Sequence, residues 1–109
     1  MSAVFYEIRH YQARPGGRDA WVRYMEDVVL PFQAAGGMSV IASFIDEENP
    51  DGYVWIRRFE DEAQREELYA AIYESDRWRN EIRPAVMELL IPEATVVTRV
   101  VPTALSALR

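Results

Sequence analysis

The sequence predicts an α+β fold: one four-stranded antiparallel sheet with helices packed on one face, built in the order β-α-β-β-α-β. Residues 53–60, Tyr-Val-Trp-Ile-Arg-Arg-Phe-Glu, alternate with the period of two that marks a strand. Residues 4–11 alternate in the same way, and two stretches with helical spacing separate the extended runs in pairs. A chain of 109 residues that is 50% hydrophobic fits a single core, since a second one would leave neither with enough buried surface.

The first strand sets Val4, Tyr6 and Ile8 against Phe5, Glu7, Arg9 and Tyr11. Pro15-Gly16-Gly17 breaks it, and Asp19 favours a helix start by meeting the positive end of the helix dipole. Trp21, Val22, Met25, Val28, Val29 and Phe32 then recur at helical spacing. Pro31 lacks the N–H that would bond the preceding turn, which predicts a kink or an end near Val29 or Leu30. After Gly36-Gly37, residues 39–46 read as a strand apolar on both sides and therefore covered on both. Residues 47–52 form an acidic hairpin loop into the strand at 53–60.

Asp61, with Gln64 three residues on, caps a helix whose inward stripe is Leu68 and Ile72, with Arg65 in water. Ser75-Asp76 opens a shorter segment carrying Trp78 and Ile82, and Pro84 opens the next turn. Residues 91–101 are β-branched and close the sheet, with Pro92 at the strand entry. The domain is expected to span 1–101, with 102–109 as a tail ordered against a partner. This order of elements is ferredoxin-like and leaves one sheet face without helices. Val54 and Ile56 are assigned to the helix-covered core, and Tyr53, Trp55, Arg57 and Phe59 to the bare face, because an unpaired guanidinium is costly to bury. So large an aromatic patch requires a cover, and a second copy across a two-fold axis supplies one: a homodimer is expected.

Composition excludes several function classes. The net charge of −6 works against nucleic acid and anionic membranes. All twelve basic residues are arginine, a bias attributable to genome base composition. Without cysteine there are no disulfides, thiolate metal sites or cysteine nucleophiles. One histidine and an acidic cluster confined to a loop make a poor metal site, so none is expected. Gly16-Gly17 and Gly36-Gly37 lack the remaining residues of a phosphate loop, and no cofactor is expected. Neither a leader nor a membrane span is visible in the sequence, which points to the cytoplasm.

Three motifs carry a family likeness: residues 6–11, Tyr-Glu-Ile-Arg-His-Tyr, followed by Pro15-Gly16; residues 53–59, Tyr-Val-Trp-Ile-Arg-Arg-Phe; and residues 70–78, Ala-Ala-Ile-Tyr-Glu-Ser-Asp-Arg-Trp. In that order they resemble a bacterial NIPSNAP protein over nearly the whole chain to about Val101. The resemblance implies a dimeric α+β barrel. The wider superfamily includes cofactor-free monooxygenases of polyketide pathways, haem-degrading enzymes and isomerases, which use a cavity between sheet and helices. The family supplies no agreed catalytic set to transfer, and fold alone does not fix activity.

Residue chemistry therefore has to name the site. Arg9 and Arg57 share parity on neighbouring strands and together suit a carboxylate, enolate or phenolate; Tyr11 offers a phenol for proton transfer. These three are the catalytic candidates. Glu7, Tyr53, Trp55, Phe59 and Trp78 are the ligand-binding candidates, Glu7 as the counter-charge and the rings as walls. Arg57 paired with Glu7 serves equally as a structural ion pair, and Trp78 equally as a packing anchor. His10 is assigned with Ile8 to the helix side. The expected function is binding of a small hydrophobic or aromatic, anionic metabolite, with cofactor-independent oxygenation, isomerisation or cyclisation of a polyketide-like compound as the candidate chemistry. The alternative is a non-catalytic interaction protein whose sheet face is only a dimer interface.

Overall fold

The computed structural model describes residues 3–109; Met1 and Ser2, at the head of the expected domain, lie outside the described residues. Four strands, β1 (Phe5–Gln12), β2 (Ser39–Ile45), β3 (Gly52–Phe59) and β4 (Val96–Val100), form one sheet in the order β2-β3-β1-β4. Every pairing is antiparallel, which gives the ferredoxin-like α+β arrangement. The helical connections comprise α1 (Arg18–Tyr24) and α2 (Leu30–Ala35) after β1, and α3 (Glu62–Tyr73) and α4 (Arg83–Leu89) after β3. Among the described residues no helix is long and apolar enough to cross a membrane.

Both connections contain a wide π turn, Met25–Val29 in the first and Trp78–Ile82 in the second. Each ends two residues before a proline, Pro31 or Pro84. A helical proline offers no N–H and its ring crowds the carbonyl one turn back; widening that turn relieves the clash. The break expected at Val29 is therefore a local widening, and the helix runs on to Ala35. It ends where Gly37 takes a φ of 98°, a conformation open to glycine at little cost. At the start of α3, Asp61 accepts the Gln64 N–H at 2.7 Å and the Gln64 side chain accepts the Glu60 N–H at 2.7 Å.

The sheet faces are the reverse of the sequence expectation. Tyr53, Trp55, Arg57 and Phe59 are buried under the helices, as are Phe5 and Glu7 of β1. Cross-strand partners share a face, so Ile8, His10, Val54, Ile56 and Arg58 lie on the helix-free side. His10 is exposed there, not packed against helices. Tyr6 is buried on that same side, beneath the C-terminal segment, where Pro102, Thr103, Ser106 and Leu108 gather over Tyr6, Ile8 and Ile56. Arg58 fastens this segment by donating to the Arg109 carbonyl at 2.7 Å.

Two features account for the reversal. The large side chains of Tyr53, Trp55 and Phe59 fill the space between sheet and helices, and the smaller Val54 and Ile56 lie on the other face. Arg57 is tolerated inside because the helices bring it partners, described below. In β2 a bulge between Val40 and Ala42 switches the parity: Val40 pairs with Arg57, while Ala42 and Phe44 pair with Ile56 and Val54 on the free face. β2 is consequently an edge strand largely in solvent, not a strand covered on both sides.

Replacing Asp61 with alanine removes the α3 cap and is expected to lower stability by about 1 kcal/mol. Urea denaturation of the two proteins measures it, the expected change being in the midpoint and not in the slope.

Candidate functional site

Between the sheet and the helices lies a cavity of about 400 Å³, within the size range of small-molecule sites. β1 contributes Arg9 and Tyr11, and β3 contributes Trp55. The first helical connection adds Trp21, Met25, Val29 and Gln33, at successive intervals of four that keep them on one helical face. Tyr69, Tyr73 and Trp78 enter from the second connection, and Val86, Met87 and Leu90 close an apolar end. Trp78 is placed by a local cap: its N–H reaches the Ser75 hydroxyl at 3.3 Å, and that hydroxyl donates to the Ile72 carbonyl at 2.6 Å. Its ring stands edge-on to Tyr73 with centroids 4.7 Å apart.

The polar end rests on a buried network. Arg57, fully buried, donates from Nη2 to Glu7 Oε1 at 2.7 Å and to the Tyr69 hydroxyl. From Nη1 it donates to Gln33 Oε1 at 3.0 Å and to the Tyr73 hydroxyl at 2.6 Å. Tyr69 in turn donates to Glu7 Oε1 at 2.7 Å, and Arg65 Nε donates to Glu7 Oε2 at 2.7 Å. Burial alone pushes the Glu7 carboxyl up, but the hydrogen bonds from Arg65 and Tyr69 and the Arg57 charge outweigh it and hold Glu7 below the ordinary carboxylate range. Burial likewise opposes the Arg57 charge, and Tyr73, Tyr69 and Glu7 more than offset that, so the guanidinium stays charged. Tyr69 is pushed up to about 12 by burial against the pull of Arg57, and remains a donor at neutral pH.

Arg9 is the exception. Its Nη1 stands 3.8 Å from Glu7 Oε1, beyond hydrogen-bonding distance, and its Nε donates to the Tyr11 hydroxyl at 2.8 Å. Glu7 thus meets three guanidinium groups, Arg57 and Arg65 closely and Arg9 loosely, and Arg65 also meets Glu62 at 3.5 Å.

The NIPSNAP family model matches residues 6–106. The chain belongs to the NIPSNAP family. A NIPSNAP family protein of unknown function from Agrobacterium tumefaciens superposes with a TM-score of 0.88 at 25% identity, covering 99% of this chain and 96% of that one. A second from the same organism gives 0.86 at 22% identity, covering 97% and 99%. A NIPSNAP-like domain protein from Burkholderia xenovorans gives 0.86 at 20% identity, covering 97% and 90%; these last two likenesses show the fold alone. No curated protein matches the chain significantly.

On this NIPSNAP scaffold the cavity wall takes in four of the eight sequence candidates: Arg9, Tyr11, Trp55 and Trp78. Arg57 and Glu7 stand behind the wall, in the network. Tyr53 and Phe59 pack elsewhere in the core, Tyr53 with its hydroxyl 2.6 Å from Ser43 and raised to about 12 by burial. Phe59 stacks on Phe5 with ring centroids 5.2 Å apart. Gln33, Tyr69 and Tyr73 were not singled out in the sequence, and Arg65 was expected to be in water. Tyr69 and Tyr73 lie on one helical face four residues apart, the spacing that would have revealed them. Gln33, wholly buried in a helix of apolar stripe, gave the other signal: such an amide needs partners. Among the described residues no group of three or more His, Asp or Glu could hold a metal ion.

Removing the shared carboxylate leaves the buried Arg57 without its counter-charge, while Arg65 keeps Glu62 at 3.5 Å, so Glu7→Gln is expected to cost about 3–5 kcal/mol. Because the folded pKa of Glu7 lies below its unfolded value, its stabilisation is complete above the unfolded pKa of roughly 4.3 and is lost as pH falls through the folded value. Acid titration of stability, followed by circular dichroism, is expected to show this limb in the native protein and a flatter one in Glu7→Gln.

Proposed function

We propose that this NIPSNAP protein binds a small hydrophobic or aromatic anion in the cavity between its sheet and helices, with Arg9 as the anion contact. The observation that carries this reading is the state of Arg9 at the polar end: Arg57 and Arg65 each hold Glu7 at 2.7 Å, whereas Arg9 lines the cavity and stands 3.8 Å from that carboxylate. In a site walled by aromatic and aliphatic groups an anion meeting that guanidinium gains more than it would in water. Trp55 and Trp78 supply flat walls, and Tyr11, held by Arg9, stands beside the anion as a proton donor. Glu7 and Arg57 position the polar end from behind.

This set of groups suits cofactor-independent chemistry in which a guanidinium holds an enolate or phenolate while a phenol moves a proton, as oxygenation, isomerisation or cyclisation of a polyketide-like compound requires. The rival reading, a non-catalytic interaction protein whose sheet face is only a dimer interface, leaves the cavity and the under-partnered Arg9 without a role, and the Arg57–Glu7 pair lies under the helices, away from such an interface.

We further propose that a second copy covers the helix-free face. Phe44 is 53% exposed there beside Val54, and Val96 57% exposed beside His10, and the C-terminal segment covers the portion around Tyr6, Ile8 and Ile56. Residues 102–109 are read as a strap outside a domain of 1–101. A face shared isologously across a two-fold axis buries itself with a single set of contacts.

Two measurements follow. Arg9→Met is expected to weaken binding of 2-naphthoate about tenfold or more, read by calorimetry, because a charge-assisted hydrogen bond is lost; unchanged affinity would refute the anion contact. Light scattering is expected to give the mass of a dimer, and Phe44→Asp that of a monomer that still binds 2-naphthoate.

A further inference from the structure

A phenol oxygen has one hydrogen to donate and two lone pairs to accept with. On the cavity wall, Tyr69 uses both capacities inside the protein: it accepts from Arg57 and donates to Glu7. Tyr73 differs. Its oxygen accepts from Arg57 Nη1 at 2.6 Å and from Gln33 Nε2 at 3.0 Å, which fills both lone pairs. Among the described residues nothing accepts its proton.

We infer that Tyr73 is a ligand-contacting residue whose hydroxyl donates to a carbonyl or enolate oxygen, so that the bound molecule carries a carbonyl group in addition to the anion at Arg9. This inference rests on the reading of the cavity as an anion site. A hydroxyl that accepts from a guanidinium is a stronger donor through cooperativity along the chain of bonds. Arg57 and Gln33 are themselves wholly buried, so the oxygen is fixed from behind before any ligand arrives. The rest of the polar wall agrees in sign. The Gln33 carbonyl oxygen is occupied by Arg57, the Tyr11 oxygen accepts from Arg9, and what remains for a ligand is mainly donors: Arg9 N–H, Tyr11 O–H and Tyr73 O–H, with the Thr95 hydroxyl able to act either way. A wall of donors selects a ligand rich in acceptors. Of the two uncommitted phenols, Tyr11 is tied to the same guanidinium that takes the anion, whereas Tyr73 is held by a separate arginine and serves a second polar group on the ligand.

The test uses two carboxylates that differ only at the bridging atom, 4-benzoylbenzoate with a ketone and 4-benzylbenzoate with a methylene, titrated calorimetrically into the full chain. Tyr73→Phe is expected to lower the preference for the ketone about fivefold, the size of one ordinary hydrogen bond, while Arg9→Met weakens both probes alike. The preference is a ratio within one protein, so partial unfolding of a variant cancels from it. The native protein gives a second readout: the infrared stretch of a ¹³C-labelled ketone is expected to move to lower frequency on binding and to return in Tyr73→Phe but not in Tyr11→Phe. If both probes bind through Arg9 but the ketone stretch stays at its aprotic-solvent position, or responds to Tyr11→Phe alone, the Tyr73 assignment is wrong and the anion site stands. If neither probe binds, the anion site fails and the Tyr73 assignment fails with it.

Discussion

Burial of the Arg57 guanidinium is the constraint from which the interior of this protein follows. A charge with no exposed surface is tolerable only with a counter-ion and nearly complete hydrogen bonding. Glu7 supplies the charge from the neighbouring strand, directly across the β1–β3 pairing. The remaining partners arrive from both helical connections: Gln33 from the first, Tyr69 and Tyr73 from the second. Four chain segments therefore meet at one side chain, and the helices are set on the sheet by directional bonds as well as by apolar contact. The rings around the guanidinium add to this, Trp55 at 4.8 Å and Tyr69 at 5.1 Å from its centre.

The same network determines what the cavity offers. Glu7 Oε1 accepts from Arg57 and Tyr69 and Oε2 from Arg65, while Arg9 is left 3.8 Å from Oε1. Arg57 commits both terminal nitrogens to these partners and stands behind the cavity wall; its remaining donor, Nε, is buried with no partner among the described residues. The polar groups that face the cavity are those one layer outward, Arg9, Tyr11 and Tyr73. A buried ion pair and a ligand site are alternatives for a single arginine; here Arg57 takes the pair, and the proposed anion contact falls to Arg9, the next one along the face.

Much of the backbone was legible in the sequence. The four strands lie within a few residues of the alternating runs, the Asp61 cap forms as its spacing indicates, and the strand order is the ferredoxin-like one. The assignment of faces was not legible, for a definable reason. Local sequence shows that residues 53–60 have a face with Arg57 on it; whether that face is wet depends on Gln33, Tyr69 and Tyr73, which are distant in sequence and become partners only after the helices dock. Judged on the cost of burial without those partners, Arg57 belongs outside. The β2 bulge was hidden for a similar reason: Val40-Ile41-Ala42 is apolar at every position and carries no alternation from which a parity change could be read. Arg9, Tyr11, Trp55 and Trp78 reached the cavity wall despite the reversed faces because parity groups residues correctly even when the side is misjudged.

The reversal also separates two roles that the sequence had merged. On the sequence reading, one aromatic face served both to join two copies and to enclose a ligand, so any substitution there would confound association with binding. In the structure alternate residues of β1 and β3 face opposite ways: Arg9, Tyr11 and Trp55 look toward the helices, while Ile8, Val54 and Ile56 look away. A ligand on one side and a neighbouring subunit on the other would then touch alternate residues of the same two strands. Any coupling between them would cross a single strand's thickness, and the stiffness of the sheet would decide how much of it is transmitted. The Glu7–Arg57 bond, which ties those two strands together on the ligand side, resists any change in their spacing that an interface on the other side would impose.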